Sequence, residues 1–391
     1  PYIGVISQRL GLDAVIGVAI AVALALDLSI NVSFNPTRSI ITDVTPEGIA
    51  RTRGYTWMQT VSGTFGVLAY AIGAAFGNYV LIYFAAGLVL VFSVLPALVI
   101  EEPRVLAGAA GAADARDDRT SFANLLHLIR PLWAFLLYDV IAMAFKLVGM
   151  QPPGLWLEAA CIAFAVLLFW QTLTARSRGA QFARQDLVDF RKVLAANSLS
   201  WIGVQTMFVY MIAFVQQRFP ELGADASGRM LSSSFLALNA VAAVLPALVL
   251  LPLARRFDVV TIHSACLASM AAGFAGVYLF AHSPAVLYLL MALMGIGWAA
   301  IVSLPFSIMS QRVDQSRIGL YMGVFNLSIV LPQLVVSLGV GAFVNRVADK
   351  SVIFLIGAVS LALAAFAWRS VSGDGSGVPE STASAGSSTP H

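Results

Sequence analysis

Charged side chains are scarce in this 391-residue chain: Asp, Glu, Lys and Arg make up 11% of it, against 59% for the hydrophobic types. A water-soluble globule carries about 25% charged residues and an apolar share nearer half, so the composition excludes that class. Cysteine is nearly absent. Cys161 and Cys266 both stand inside apolar stretches, without C-x-x-C spacing or a neighbouring histidine cluster, which argues against a disulfide framework and against zinc. The four histidines, His127, His263, His282 and His391, are scattered, and neither H-E-x-x-H nor a Walker A sequence occurs. No enzyme chemistry, metal or cofactor is indicated, and any work done on a solute has to draw on an ion gradient. The net charge of +3 comes from basic residues in short loops between apolar spans, which orient a membrane protein rather than bind nucleic acid.

In place of charge the chain has hydrophobic length. Apolar windows of about 20 residues, enough to cross the hydrocarbon core, recur eleven times. They lie at 12–35, 55–76, 79–100, 131–150, 155–175, 194–215, 231–252, 259–280, 285–308, 319–343 and 352–371. The runs are continuous rather than alternating, which predicts helices that satisfy their own backbone groups and not barrel strands. The expected fold class is an all-α polytopic membrane protein. If the chain starts outside, the cytoplasmic loops hold sixteen Lys and Arg and the outer loops five, with Arg38 and Lys146 inside helices. This bias predicts a cytoplasmic C-terminus. The first residue is Pro and no signal-peptide pattern is visible, so an odd number of spans starting outside reads as a fragment lacking an odd number of helices.

Asp27 stands in the middle of an apolar run and opens DLSINVSFNPTRSIITD, residues 27–43. A charge at that depth costs about 3 kcal/mol or more, and residues of this kind are kept in membrane proteins for a task, most often transport. At 100° per residue Asp27, Asn31 and Arg38 share one helix face, with Asp27 and Arg38 roughly 16 Å apart along the axis, too far to neutralise each other. Each requires a partner on another helix or a water-filled cavity. A midplane carboxylate that is protonated or charged according to which side is open is what proton coupling requires; the alternative is a structural acid held neutral by a neighbouring helix. Arg38 either takes part in coupling or snorkels to the headgroups.

Other polar residues are candidates for lining a cavity. Ser303, Ser307, Asn326, Ser328 and Gln333 offer hydroxyls and amides that either meet a polar solute or bond helices to one another. In SLSWIGVQTMFVYMIAFVQQ, Trp201 reads as an interfacial anchor and Gln205 as the better cavity residue. Lys146 and Glu158 are expected to pair across the hairpin of 131–175, while Asp139 sits nearer mid-membrane with its role open.

The spacing D-x3-N-x4-P-x-R-x4-D, formed by Asp27, Asn31, Pro36, Arg38 and Asp43, resembles the fourth transmembrane helix of the sucrose/proton symporters of the major facilitator superfamily. Residues 319–338, GLYMGVFNLSIVLPQLVVSL, are similar to the eleventh helix of that family, and residues 295–310, GIGWAAIVSLPFSIMS, to its tenth. The resemblance implies a major facilitator fold with about 11 helices present, lacking the first three and carrying an inserted two-helix transmembrane hairpin. Residues 1–100 would be the remainder of the N-terminal bundle (family helices four to six), 101–130 a cytoplasmic linker and 131–175 the hairpin. Residues 176–371 would be the C-terminal bundle (family helices seven to twelve) and 372–391 a disordered tail.

By the same resemblance Asp27 is the protonatable carboxylate that also bonds sugar hydroxyls, Asn31 holds Asp27 or the sugar, and Arg38 is a cation needed for coupled uptake. Phe34 and Asn35 stand where the family has Gln and Gly. The implied partners are a disaccharide or other glycoside, a proton and the lipid bilayer, for a monomer in the cell (inner) membrane whose only energy source is the proton gradient. An exporter of amphipathic compounds and a non-transporting receptor or scaffold on the same fold are the alternatives.

Overall fold

Every apolar window that falls within the described residues folds as helix. The computed structural model describes residues 44–95, 122–148, 154–176, 182–314 and 317–372, together with Ser29, Arg38, Ile41, Thr42, Leu98 and Met150. The expected span 12–35, with Asp27 and Asn31, lies outside them. In chain order the helices are α1 (Ile49–Phe76), α2 (Asn78–Val89), α3 (Phe122–Leu128), α4 (Trp133–Leu147), α5 (Trp156–Leu173), α6 (Phe182–Arg218) and α7 (Ala224–Leu245). They continue with α8 (Leu251–Ala254), α9 (Val259–Phe280), α10 (Pro284–Ser310), α11 (Ile318–Val335), α12 (Gly341–Arg346) and α13 (Val352–Trp368). No strand occurs among the described residues. Among the described residues six helical segments are long and apolar enough to cross a membrane by length and composition. Their outward faces are greasy, with Leu289 71% and Trp170 70% exposed. An apolar surface this extensive requires lipid around it.

Among the described residues three wide π turns interrupt the helices, at Leu90–Val94, Pro246–Leu250 and Val336–Val340. Pro246 opens the second, because a proline lacks the donor for the preceding turn and its ring crowds the carbonyl there. The third joins α11 to α12 and frees a carbonyl that the Tyr210 hydroxyl of α6 takes, at 2.9 Å from Val336 O.

Helices in lipid gain nothing from hiding apolar surface from one another, so close approach has to hold them. α7 is clamped between α1 and α10 by small residues: a Cβ at Gly63 would stand 2.9 Å from Ala243 Cα, and one at Gly295 would stand 2.5 Å from the Leu238 carbonyl. Hydrogen bonds from Arg51 to Ser310 O (3.1 Å) and from Lys192 to Ser370 O (2.9 Å) tie the starts of α1 and α6 to the ends of α10 and α13, where Arg312 also donates to Ile308 O of its own helix end (2.7 Å). This is the basic end of the bundle.

Two expectations need correction. α6 starts at Phe182, not near 194. The stretch before 194 is charged, but Phe190 and Val193 are fully buried and Asp189 pairs with Lys192 at 3.6 Å, so its helical face packs although its hydropathy is low. Lys146 and Glu158 do not pair across the α4–α5 hairpin: Lys146 is exposed, and Glu158 accepts the Tyr138 hydroxyl at 3.2 Å. The hairpin closes instead through Phe135 against the edge of Phe169, with ring centroids 5.8 Å apart.

Candidate functional site

Polar and aromatic side chains converge in two places, the first being the junction of α1 and α10 at the basic end. Arg51, Thr52, Tyr55 and Thr56 fall on neighbouring rows of α1, and all four are at most 3% exposed. Arg51 donates to Ser310 O of α10 and to Thr42 O and Thr45 O of the segment before α1, at 3.4 and 3.2 Å. Thr52 Oγ1 and Ser307 Oγ share a hydrogen bond of 2.7 Å, both residues being fully or nearly fully buried. Phe306 is the hub of the junction. Its ring stacks on Tyr55 with centroids 6.0 Å apart, meets the Phe325 ring of α11 edge-on at 5.0 Å, and carries the Arg38 guanidinium at 4.1 Å from its centroid. The Tyr55 hydroxyl completes the cluster by donating to Arg38 O at 3.1 Å.

A desolvated cation over a ring contributes about 2 kcal/mol, and each neutral hydrogen bond about 1 kcal/mol. The junction is thus held by a few kcal/mol. That is enough to be populated and little enough to be opened by a ligand.

The second place is a strip of rings. Trp201, Gln205 and Phe208 recur at helical spacing on α6, and all three are half-buried. Trp298 of α10 meets Trp201 edge-on at 5.9 Å and Phe208 at 5.2 Å. Phe208 stacks on Phe235 of α7 at 5.1 Å, and Phe235 on Tyr70 of α1 at 5.6 Å. Amides flank the strip. Asn239 is 9% exposed, donates to Phe235 O at 2.9 Å and faces Gly66 of α1. Asn197, fully buried one turn before Trp201, donates to Ser328 Oγ of α11 at 2.8 Å, and its Oδ1 meets no donor among the described residues.

The residues expected to line a cavity are dispersed over these places. Ser307 belongs to the α1–α10 junction, and Ser303, fully buried, donates to Ala299 O of its own helix at 2.6 Å. Gln205 lies on the strip; Asn326 and Gln333 are half-buried on α11. Arg38 is in the junction, while Asp27 and Asn31 lie outside the described residues. Trp201 is in the middle of the 37-residue α6 with Trp298 against it, so the anchor reading is replaced by a place in the strip. Sequence reasoning missed Arg51, Thr52, Tyr55 and Thr56, taking Arg51 as a loop charge. The signal was there in two polar pairs one helical turn apart.

Over residues 14–336 the sequence matches the profile of the Major Facilitator Superfamily. The chain belongs to that superfamily. It is therefore a multi-pass membrane protein of a transporter family, which implies a small-molecule substrate. No curated protein matches the sequence. Among solved structures it is similar to the crystal structure of the human organic anion transporter MFSD10 (TETRAN). The identity is 15%, with 85% of this chain and 80% of that one covered, at a TM-score of 0.40.

Proposed function

We propose that the protein is a proton-coupled symporter of glycosides that works by alternating access, with the α1–α10 junction as its cytoplasmic gate. The observation that carries the reading is the strip of half-buried side chains Trp201, Gln205, Phe208 and Trp298, flanked by the buried amide of Asn239, which reaches the junction helix α10 through Trp298. Indole faces stack on the apolar C–H face of a sugar ring, and side-chain amides both donate to and accept from its hydroxyls. In this reading α1 and α2 belong to the N-terminal half and α6 to α13 to the C-terminal half. The bias of arginine towards these loops supports a cytoplasmic side for the junction. In the proposed cycle Asp27 is the proton carrier and Asn31 an amide for Asp27 or the sugar, while Arg38, seated on Phe306, is the cation at the gate.

Uptake of labelled glycosides into vesicles with an imposed pH gradient tests the proposal. Gradient-driven accumulation that is lost in Asp27→Asn supports it, and indifference of every glycoside to both the gradient and the substitution rejects it. The preponderance of rings over polar groups in the strip supports a second reading, export of amphipathic compounds. Efflux of such compounds without glycoside uptake would select that reading.

A further inference from the structure

A cavity of about 80 Å³ opens between α5 and α6 beneath the short helix α3, lined by Arg130, Gln171, Thr172, Ala175, Val188 and Arg191. No carboxylate lines it among the described residues. Arg130 Nη2 donates to Gln171 Oε1 at 2.6 Å, and Arg191 Nε is buried with no acceptor among the described residues. The acid nearest in sequence, Asp189, pairs with Lys192. A third basic group, His127 of α3, sits close enough to Arg191 and Arg130 that their charges hold its imidazole below the usual histidine range. Two guanidinium groups, with an imidazole near them, thus face a space that no carboxylate of the described residues lines. Such an arrangement is unfavourable until an anion enters.

The position of the cavity narrows the anion. It lies where the apolar stretch of α5 ends at Leu173 and that of α6 begins at Leu187, which is the membrane surface. α3 buries Leu128 against the core while His127 and Arg130 stay exposed, the pattern of a helix lying at that surface. On the cavity side of α5, Leu167 is exposed one turn before Gln171, apolar surface that an acyl chain can meet. We propose that this cavity binds the phosphate of an anionic phospholipid headgroup, clamped between Arg130 and Arg191. Guanidinium groups pair with phosphate oxygens in a planar, two-pronged geometry, and basic hollows between transmembrane helices on the arginine-rich side suit anionic headgroups.

The test uses the full chain purified in a neutral detergent. It is titrated with phosphatidylglycerol, with phosphatidylcholine and with inorganic phosphate alone, while the His127 ring is followed by NMR. Phosphatidylglycerol is expected to bind and to raise the His127 pKa towards its ordinary value, since the phosphate offsets the two arginines. Phosphatidylcholine is expected to do neither. Arg130→Gln or Arg191→Gln should weaken binding roughly fivefold and the pair roughly thirtyfold, with Arg130→Lys close to wild type in charge effect. Equal binding of both lipids, or no response of wild-type His127 to phosphatidylglycerol, overturns the proposal without reliance on any variant that fails to fold. Inorganic phosphate matching phosphatidylglycerol in affinity and in the His127 response overturns the lipid assignment and makes the cavity a free-anion site.

Discussion

The Thr52–Ser307 hydrogen bond is the most direct handle on the gate. At 2.7 Å between fully or nearly fully buried hydroxyls of α1 and α10, it exists only while the two helices are together. Thr52→Val removes one partner and leaves Ser307 with the bond from Gln311 Nε2 at 3.0 Å; Ser307→Ala leaves Thr52 with Gly48 O at 3.3 Å. Each survivor keeps a local partner, so neither change strands a wholly unsatisfied group, and each should destabilise the closed junction by about 1 kcal/mol. The double variant should cost about the same as either single one, a coupling energy of about 1 kcal/mol. The population open at the basic end then rises roughly fivefold. A reporter cysteine at Thr56, fully buried beside the junction, reads that population through its alkylation rate by a membrane-impermeant maleimide. The native thiols, Cys161 and Cys266, are buried and do not compete. Unchanged alkylation in both single variants, or strictly additive effects in the double one, would refute the reasoning.

Three further outcomes follow from buried or crowded groups. Asp139 of α4 is 6% exposed and neither carboxylate oxygen has a partner among the described residues. Replacing Asp139 by Leu should therefore raise thermal stability in detergent, by about 1–3 kcal/mol; a lower melting temperature would show that the acid is satisfied. A Cβ at Gly297 of α10 would collide with Met270 and stand 2.9 Å from Cys266 O of α9, so Gly297→Ala should destabilise by about 1–3 kcal/mol. Denaturant unfolding of reconstituted protein checks this. His127 is held below its usual range by Arg191 and Arg130, so the folded chain binds fewer protons there than the unfolded one. Stability should be intact above the ordinary histidine pKa and fall as the pH drops through about 6.5. That slope should flatten in His127→Gln.

Hydropathy exposed the helices but not all of their ends. The windows at 259–280 and 285–308 coincide with α9 and α10 to within two residues, because lipid imposes one requirement on every side chain of a span. The start of α6 was hidden: a charged sequence folds there as helix with one face against its neighbours, and Phe190 meets Tyr321 of α11 edge-on at 5.2 Å. Membrane arguments drew attention to acids, which are costly in lipid, and passed over Thr52 and Tyr55, whose meaning depends on which helix lies opposite. The same holds for the strip. Gln205 was legible as a cavity residue, whereas Phe208 was not singled out on its own helix and Trp298, Phe235 and Tyr70 join the strip from three other helices. Pairing across about a hundred residues of sequence leaves no local pattern to read.

The central claim, that substrate passes through a cycle in which the α1–α10 junction opens, is tested most directly by locking that junction. The Thr52 and Ser307 side chains face each other within bridging range, so Thr52→Cys with Ser307→Cys should form a disulfide under mild oxidation. Gradient-driven glycoside uptake by this variant in vesicles should proceed when the thiols are reduced, fall at least about tenfold on oxidation and return with a reductant. Uptake that continues undiminished with the bridge formed would contradict the account.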